Sequence, residues 1–204
     1  MKIHMILLMA GFSKRFGENK LLYMIDGKPM YRYIAEVLTA VLRDQAETVS
    51  LTAVTQHEAV RSGLKEMGIP VLWNPHSERG ISSSLQIGLD SLRGRRPGEE
   101  KEAVYYAFFV GDQPYLQKKS VEDFFQAFSC QDKRIGCMSA DGRPGNPVIF
   151  HEMYTDELMS LSGDVGGKQV MRKYPRDIFY YPIADFRELE DVDHKEESGY
   201  EEMD

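Results

Sequence analysis

Three observations predict an α/β domain of three layers built on a mostly parallel sheet. Segments with strand character alternate with segments of helical periodicity through most of the 204 residues. Two of the strand-like segments, Ile3–Met9 and Ala103–Val110, are almost continuously apolar, as strands covered on both faces must be. The length suits one sizeable core. In order, Pro29–Leu42 carries Met30, Tyr33, Ile34, Val37, Leu38 and Val41 at helical spacing, with Pro29 suited to a first turn. Thr48–Thr55 alternates and is rich in β-branched residues, which predicts a second strand. His57–Met67 reads as a helix stopped by Gly68. Pro70–Trp73 is a short strand, Ser82–Leu92 a helix and Gly94–Lys101 a polar loop. Ser120–Phe128 is expected to be a helix opened by a Ser-x-x-Asp cap. Pro147–Phe150, Ile178–Pro182 and Glu190–Val192 are candidate late strands.

The net charge of −7 is concentrated at one end. Ten acidic residues fall between Asp185 and Asp204 against Arg187 and Lys195, and the rest of the chain holds 23 basic and 22 acidic residues. Residues 1–194 are expected to form the single domain and residues 195–204 an acidic, solvated tail. No concentrated basic face exists for a nucleic-acid backbone. No apolar run reaches the roughly 20 residues that cross a bilayer, and the apolar start Met1–Gly11 reads as a strand rather than a leader. Cys130 and Cys137 form neither a C-x-x-C motif nor a disulfide framework, which fits a reducing, cytoplasmic setting.

In a parallel sheet, ligands bind at the carboxyl ends of the strands near the point where strand order reverses. The segment after the first strand, L-L-M-A-G-F-S-K-R-F-G-E-N-K from Leu7 to Lys20, combines turn glycines with Ser13, Lys14, Arg15 and Lys20. Backbone amides of such a turn form an anion nest, and the cations supply charge. The pattern matches neither G-x-x-x-x-G-K-[ST] nor G-x-G-x-x-G. The bland alternative is a basic surface loop. After the second apolar run comes G-D-Q-P, with Asp112 placed at the edge of the sheet. One carboxylate facing substrate phosphates suits a hard cation such as Mg2+. Its alternative role is to cap a turn.

Taken in order, these segments resemble the molybdenum cofactor nucleotidyltransferases, and most closely the molybdenum cofactor cytidylyltransferases. The opening signature L-A-A-G-x-S-x-R-M-G-x-x-K-L-L stands here as L-M-A-G-F-S-K-R-F-G-E-N-K-L-L, from Leu8 to Leu22. It is followed by N-P-H-S-E-R-G-I-S-S-S-L-Q-I-G-L from Asn74, D-Q-P at Asp112–Pro114, and G-R-P-G-N-P-V-I-F from Gly142. L-S-G-D-V-G-G-K from Leu161 and D-V-D at Asp191–Asp193 close the series. The matches span nearly the whole chain.

The resemblance implies a Rossmann-like fold with a mixed sheet, and a Mg2+-dependent enzyme. It would transfer CMP from CTP to molybdopterin or its molybdenum form and release pyrophosphate. Ala10, Gly11, Ser13, Arg15 and Lys20 would hold the triphosphate, with Asn74, Gly80, Ser82 and Ser83 near the base and ribose. Arg15, Lys20 and Asp112 would carry catalysis. Asp112 and Asp193 would bind the metal. Gly142, Pro144, Gly145, Asn146 and Pro147, with Gly163, Asp164, Gly166 and Lys168, would shape the acceptor side. A molybdenum hydroxylase apoenzyme is the implied recipient of the product. Four departures stand out: Met9 replaces a small residue, Phe16 a common Met and Lys168 a frequent Arg, and the ending D-V-D-H-K-E-E differs from D-I-D-T-P-E-D. The attacking phosphate is already anionic, so no protein base is needed and catalysis reduces to positioning and charge stabilisation. The alternatives are a related transferase acting on a sugar or alcohol phosphate, and a non-catalytic carrier of the dinucleotide cofactor.

Overall fold

The first strand, β1 (Lys2–Met9), is buried from Ile3 onward, and its side chains feed two different cores. Ile3, Met5, Leu7 and Met9 face one and Ile6 and Leu8 the other, as the two-residue period of a strand requires. The computed structural model describes residues 1–13, 16–92 and 102–192. Lys14, Arg15, the expected loop at 94–101, Asp193 and the 195–204 tail lie outside these residues.

After β1 the chain makes a 3-10 turn at Lys20–Leu22 and a small hairpin, β2 (Met24–Ile25) and β3 (Lys28–Pro29). The hairpin turns on Asp26 and Gly27, both at positive φ. Asp-Gly is the strongest short hairpin signal there is, and the reading by periodicity passed over it. Pro29 stands one residue before helix α1 (Met30–Asp44), with extended ψ, rather than within its first turn. Then follow β4 (Val49–Thr55), α2 (Glu58–Glu66), β5 (Val71–Trp73), α3 (Ile81–Asp90), β6 (Val104–Val110) and α4 (Lys118–Ser129). The last part comprises β7 (Ile135–Ala140), β8 (Arg143–His151), α5 (Thr155–Met159), α6 (Lys168–Lys173) and β9 (Ile178–Pro182).

Among the described residues the sheet has seven strands, in the order β5-β4-β1-β6-β8-β7-β9. β8 is antiparallel to both neighbours, and the remaining pairings are parallel. The fold is thus the mostly parallel, mixed, three-layer α/β arrangement. Buried residues of α1, α2 and α4 pack on one face and those of α3, α5 and α6 on the other. Among the described residues no helix is long and apolar enough to cross a membrane.

The structure corrects several expectations. α4 begins at Lys118, and Ser120 lies inside it; its hydroxyl donates to Glu188 (2.9 Å) instead of capping the helix. The cap is a carboxylate from far along the chain, since the Gln117 N–H donates to Glu188 (2.9 Å). Pro147–Phe150 is only the end of the longer β8, whose Gly- and Pro-rich start hid it. β7 was not foreseen. It contains Gly136, where a Cβ would meet the rings of Phe128 at 2.9 Å and Phe124 at 3.1 Å, so a side chain is excluded by packing rather than by strand propensity. Glu190–Val192 is not a strand. It follows a 3-10 turn at Phe186–Leu189 and is tied to the loop after β6.

Candidate active site

The strand order reverses at β1. The chain first adds β4 and β5 on one side of it, then crosses through α3 to place β6 on the other. At the carboxyl ends of β1 and β6 lies a cavity of about 620 Å³, within the range of small-molecule sites.

The segment leaving β1 forms one wall, with Ala10, Gly11, Phe12 and Ser13. Ser13 adopts a left-handed backbone (φ 51°). Its carbonyl accepts the N–H of Phe16 (2.9 Å), and its hydroxyl accepts the N–H of Lys20 (3.2 Å). The turn that follows is capped by Asn19, whose side chain accepts the N–H of Leu21 (3.1 Å). Lys20 is thereby fixed at the start of a short turn with its side chain across the cavity. Its Nζ lies 2.7 Å from Oδ2 of Asp112. Both side chains are mostly shielded, 14% and 21% exposed, so the pair is screened less than a surface ion pair would be.

Asp112 follows β6 directly. Gly111 allows the close approach, because a Cβ there would meet Met9 at 2.7 Å and Leu21 at 3.0 Å. The Asp112 carbonyl accepts the N–H of Val192 (3.0 Å), and Gln113 donates to the Leu189 carbonyl and to Asp191, each at 2.9 Å. Val192 packs with Phe16, Ile25 and Met30 in a small apolar cluster. The end of the segment leaving β1, the hairpin, the start of α1 and the C-terminal segment therefore meet beside the Lys20–Asp112 pair.

The opposite wall comes from Ser77, Glu78, Gly80, Ile81 and Ser84, with Asp164. Gly80 has φ 88° and ψ −179°, a region open essentially to glycine alone. A Cβ there would lie 2.3 Å from the Gly163 carbonyl carbon and 2.6 Å from the Asp164 nitrogen. The Ser82 N–H donates to the Gly163 carbonyl (3.3 Å). These contacts bring the L-S-G-D element against the start of α3 and set Asp164 on the wall.

Of the sequence-derived candidates, the cavity wall gathers Ala10, Gly11, Ser13, Lys20, Gly80, Asp112 and Asp164. Asn74, Ser82 and Ser83 do not line it. Asn74 is fully buried, and its Nδ2 donates to Ser83 (2.9 Å) and Ser84 (2.8 Å), while the Ser83 hydroxyl donates to the Gly80 carbonyl. This segment shapes the turn from which Gly80 and Ser84 face the cavity. Gly142, Pro144, Gly145, Asn146 and Pro147 lie in or just before β8, and Gly163, Gly166 and Lys168 on the α5–α6 side, all off the cavity wall. Gly145 sits against Leu189, where a Cβ would be 2.7 Å away. Near it, burial pushes the Cys137 thiol up to about 11, which keeps it protonated and unreactive. Arg15 and Asp193 lie outside the described residues. Sequence reasoning missed Phe12, Ser77, Glu78, Ile81 and Ser84. Phe12 occupies a variable position of the motif, and Ser77 and Glu78 are ordinary surface residue types until the 3-10 turn at Ser77–Arg79 presents them.

Among the described residues no group of three or more His, Cys, Asp or Glu stands together as a complete metal site. A single hard carboxylate beside a wall of turn backbone and a lysine is instead the kind of donor set a cation uses when it shares its coordination with substrate oxygens, as Mg2+ does. The residues fit such an ion.

Comparison with known proteins places residues 5–178 within the family model described as a MobA-like NTP transferase domain. A probable molybdenum cofactor guanylyltransferase from Pyrococcus horikoshii is 26% identical over 171 residues, 80% of this chain and 75% of the relative. One of the same description from Pyrococcus furiosus is 25% identical over 64% of this chain and 57% of its own length. Among solved structures, Rv0371c from Mycobacterium tuberculosis superposes with a TM-score of 0.75 at 20% identity, covering 96% of this chain and 95% of the other. A complex of Rv0371c with manganese gives 0.67 at 19% identity, over 90% and 89%. At such identity the likeness shows the fold.

Proposed function

The chain belongs to the MobA-like NTP transferase family, and from that premise we propose that it transfers CMP from CTP to molybdopterin or its molybdenum form. The observation that carries the reading is the Lys20–Asp112 pair, 2.7 Å apart at the switch point of the sheet. A cationic and an anionic group held together in a cleft can be parted by one ligand that satisfies both, a triphosphate with its cation. Lys20 then turns to the phosphates and Asp112 to the metal. Asp112 would hold Mg2+ with the triphosphate oxygens, and Asp193, one residue beyond Val192, is the proposed second ligand. The manganese complex of Rv0371c supports a divalent metal. The ion supplies charge neutralisation at the phosphates when bound.

In the reaction an acceptor phosphate oxygen forms a bond to the α-phosphorus. The bond from that phosphorus to the bridging α–β oxygen breaks, and pyrophosphate leaves with the electron pair. Lys20 and Arg15 stabilise the charge on the transferring and leaving phosphates. Asp164, with the Gly142–Pro147 and Gly163–Lys168 elements, forms the proposed acceptor side. A molybdenum hydroxylase apoenzyme is the proposed recipient, in the cytoplasm.

Ala10 supports CTP. Relatives of the resembled family that use GTP typically open with L-A-G-G and those that use CTP with L-A-A-G. Ala10 stands at the third of these positions and lies on the cavity wall, where its methyl narrows the space for a base. The naming of both Pyrococcus relatives favours GTP as a second reading. Pyrophosphate release with molybdopterin as acceptor, measured for CTP, GTP, ATP and UTP, decides between them. CTP is expected to lead by about 10- to 200-fold in kcat/KM, the usual worth of a methyl group in a pocket. Equal or better use of GTP would transfer the assignment to the guanylyl reading. Turnover only with a sugar phosphate or alcohol phosphate would remove the pterin, and absence of turnover with tight product binding would favour a carrier.

A further inference from the structure

Thr55, the last residue of β4, and the two residues after it bond three consecutive carbonyls that begin at Met9, the last residue of β1. The Thr55 hydroxyl donates to the Met9 carbonyl (2.8 Å) and the Gln56 amide to the Ala10 carbonyl (2.8 Å). The His57 Nε2 lies 2.9 Å from the Gly11 carbonyl, which can only accept, so this nitrogen carries the proton. The Thr55 hydroxyl oxygen also accepts the His57 N–H (3.1 Å), which joins the donors to one another. In an extended strand successive carbonyls point to opposite neighbours. Here three in a row are bonded from one side, so the backbone departs from strand geometry after Met9.

The consequence follows from peptide planarity. In a trans peptide the C=O of one residue and the N–H of the next point in opposite directions. Holding the carbonyls of Met9, Ala10 and Gly11 toward the β4 side chains turns the N–H groups of Ala10, Gly11 and Phe12 away from β4. β6 flanks β1 on its other side, and the cavity opens there, lined by these same residues with Val110, Gly111 and Asp112. N–H groups aimed one way in a turn make an anion cradle. We infer that Thr55, Gln56 and His57 form a clamp that fixes the phosphate-binding backbone of residues 10–12, and that Gln56 and His57 are positioning residues for the polyphosphate of the donor. The inference rests on the nucleotidyl-transfer reading for its natural ligand but not for its test. Gln56 and His57 are absent from the cavity wall, so they act through the backbone they hold.

The test uses the full chain and inorganic tripolyphosphate with magnesium, a probe without base or sugar. Gln56→Leu and His57→Phe each remove one donor at a partly exposed position, and His57→Gln keeps a side-chain N–H. In the first two variants the affinity for tripolyphosphate is expected to fall about tenfold, the effect of losing roughly one charge-directed hydrogen bond's worth of order. Melting temperature should stay within about 2 °C, and His57→Gln should recover part of the loss. With substrates, KM for the nucleoside triphosphate should rise while KM for the acceptor stays constant. Hydrogen exchange at residues 10–12 should quicken without change elsewhere. Parental tripolyphosphate affinity in both variants would overturn the clamp, as would a loss that tracks a fall in melting temperature. A parent that does not bind tripolyphosphate would overturn it too. A parent that binds tripolyphosphate through the clamp yet turns over no nucleotide would leave the clamp standing and remove the transferase reading.

Discussion

At the scale of single residues, the Lys20–Asp112 pair is where the proposed chemistry concentrates. Neither side chain is needed to fill the core: both stand at the cavity, where they pair with one another. Substituting either should therefore affect turnover more than folding. On the proposed reaction, Lys20→Ala would remove one cation from the transferring phosphates, with an expected loss on the order of 3 kcal/mol in the transition state, or about 100-fold in kcat/KM. Asp112→Asn keeps the shape but withdraws the carboxylate, and is expected to abolish nearly all turnover at limiting Mg2+. Steady-state kinetics with thermal unfolding on the same preparations check both. A large drop in melting temperature with normal turnover of the folded fraction would make the pair a structural fastening. Both positions were legible in the sequence, Asp112 because it follows an apolar strand whose end must lie at the sheet edge, and Lys20 because it closes the basic, glycine-containing segment that leaves the first strand.

At the scale of elements, the start of α3 shows how a recognisable motif can serve structure. G-I-S-S-S reads as a ligand segment, yet Ser82 and Ser83 are buried, and Ser83 closes the turn on Gly80. What the motif provides is a backbone that only glycine tolerates at residue 80, pressed against Gly163 and Asp164. Gly80→Ala meets both penalties, a forbidden φ and backbone atoms within 2.6 Å of the new carbon. The strained conformation alone costs about 1–3 kcal/mol, which corresponds to a melting temperature lower by roughly 3–10 °C in a chain of this size. Because the clash falls on residues 163 and 164, the KM for the acceptor should rise as well. Differential scanning calorimetry and kinetics with varied acceptor test the two halves. An unchanged melting temperature would mean that the α5–α6 connection yields freely.

At the scale of the molecule, the C-terminal segment straps the site together from outside the sheet. Glu188 is buried, accepts from the N–H of Gln117 just before α4 and from Ser120, and so binds residues about 70 positions apart. Gln113, Asp191 and Val192 continue the strap to Asp112. Glu188→Ala leaves the Gln117 N–H and the Ser120 hydroxyl without their acceptor and removes a negative charge from a helix N-terminus. The expected loss is about 1–3 kcal/mol of stability, with a fall in kcat from looser placement of Asp112. Thermal unfolding and single-turnover rates check this. Full retention of kcat at reduced stability would confine Glu188 to capping α4.

By itself the sequence determined the layers, the parallel core strands, the strand end that carries Asp112 and the segment after the first strand that carries Lys20. These depend on periodicity and on local turn chemistry, which are written in neighbouring residues. The tertiary structure decided what neighbouring residues cannot encode. It set the strand order that opens the cavity between β1 and β6, and placed β7 beneath two phenylalanine rings. It also recruited Glu188 as the cap of a distant helix and aligned Thr55, Gln56 and His57 with the carbonyls of Met9, Ala10 and Gly11. Residues 46 positions apart become hydrogen-bond partners only when parallel pairing fixes the register of β1 against β4. A polar side chain at a strand end carries no local signal of which backbone it will meet, because the partner is chosen by the sheet.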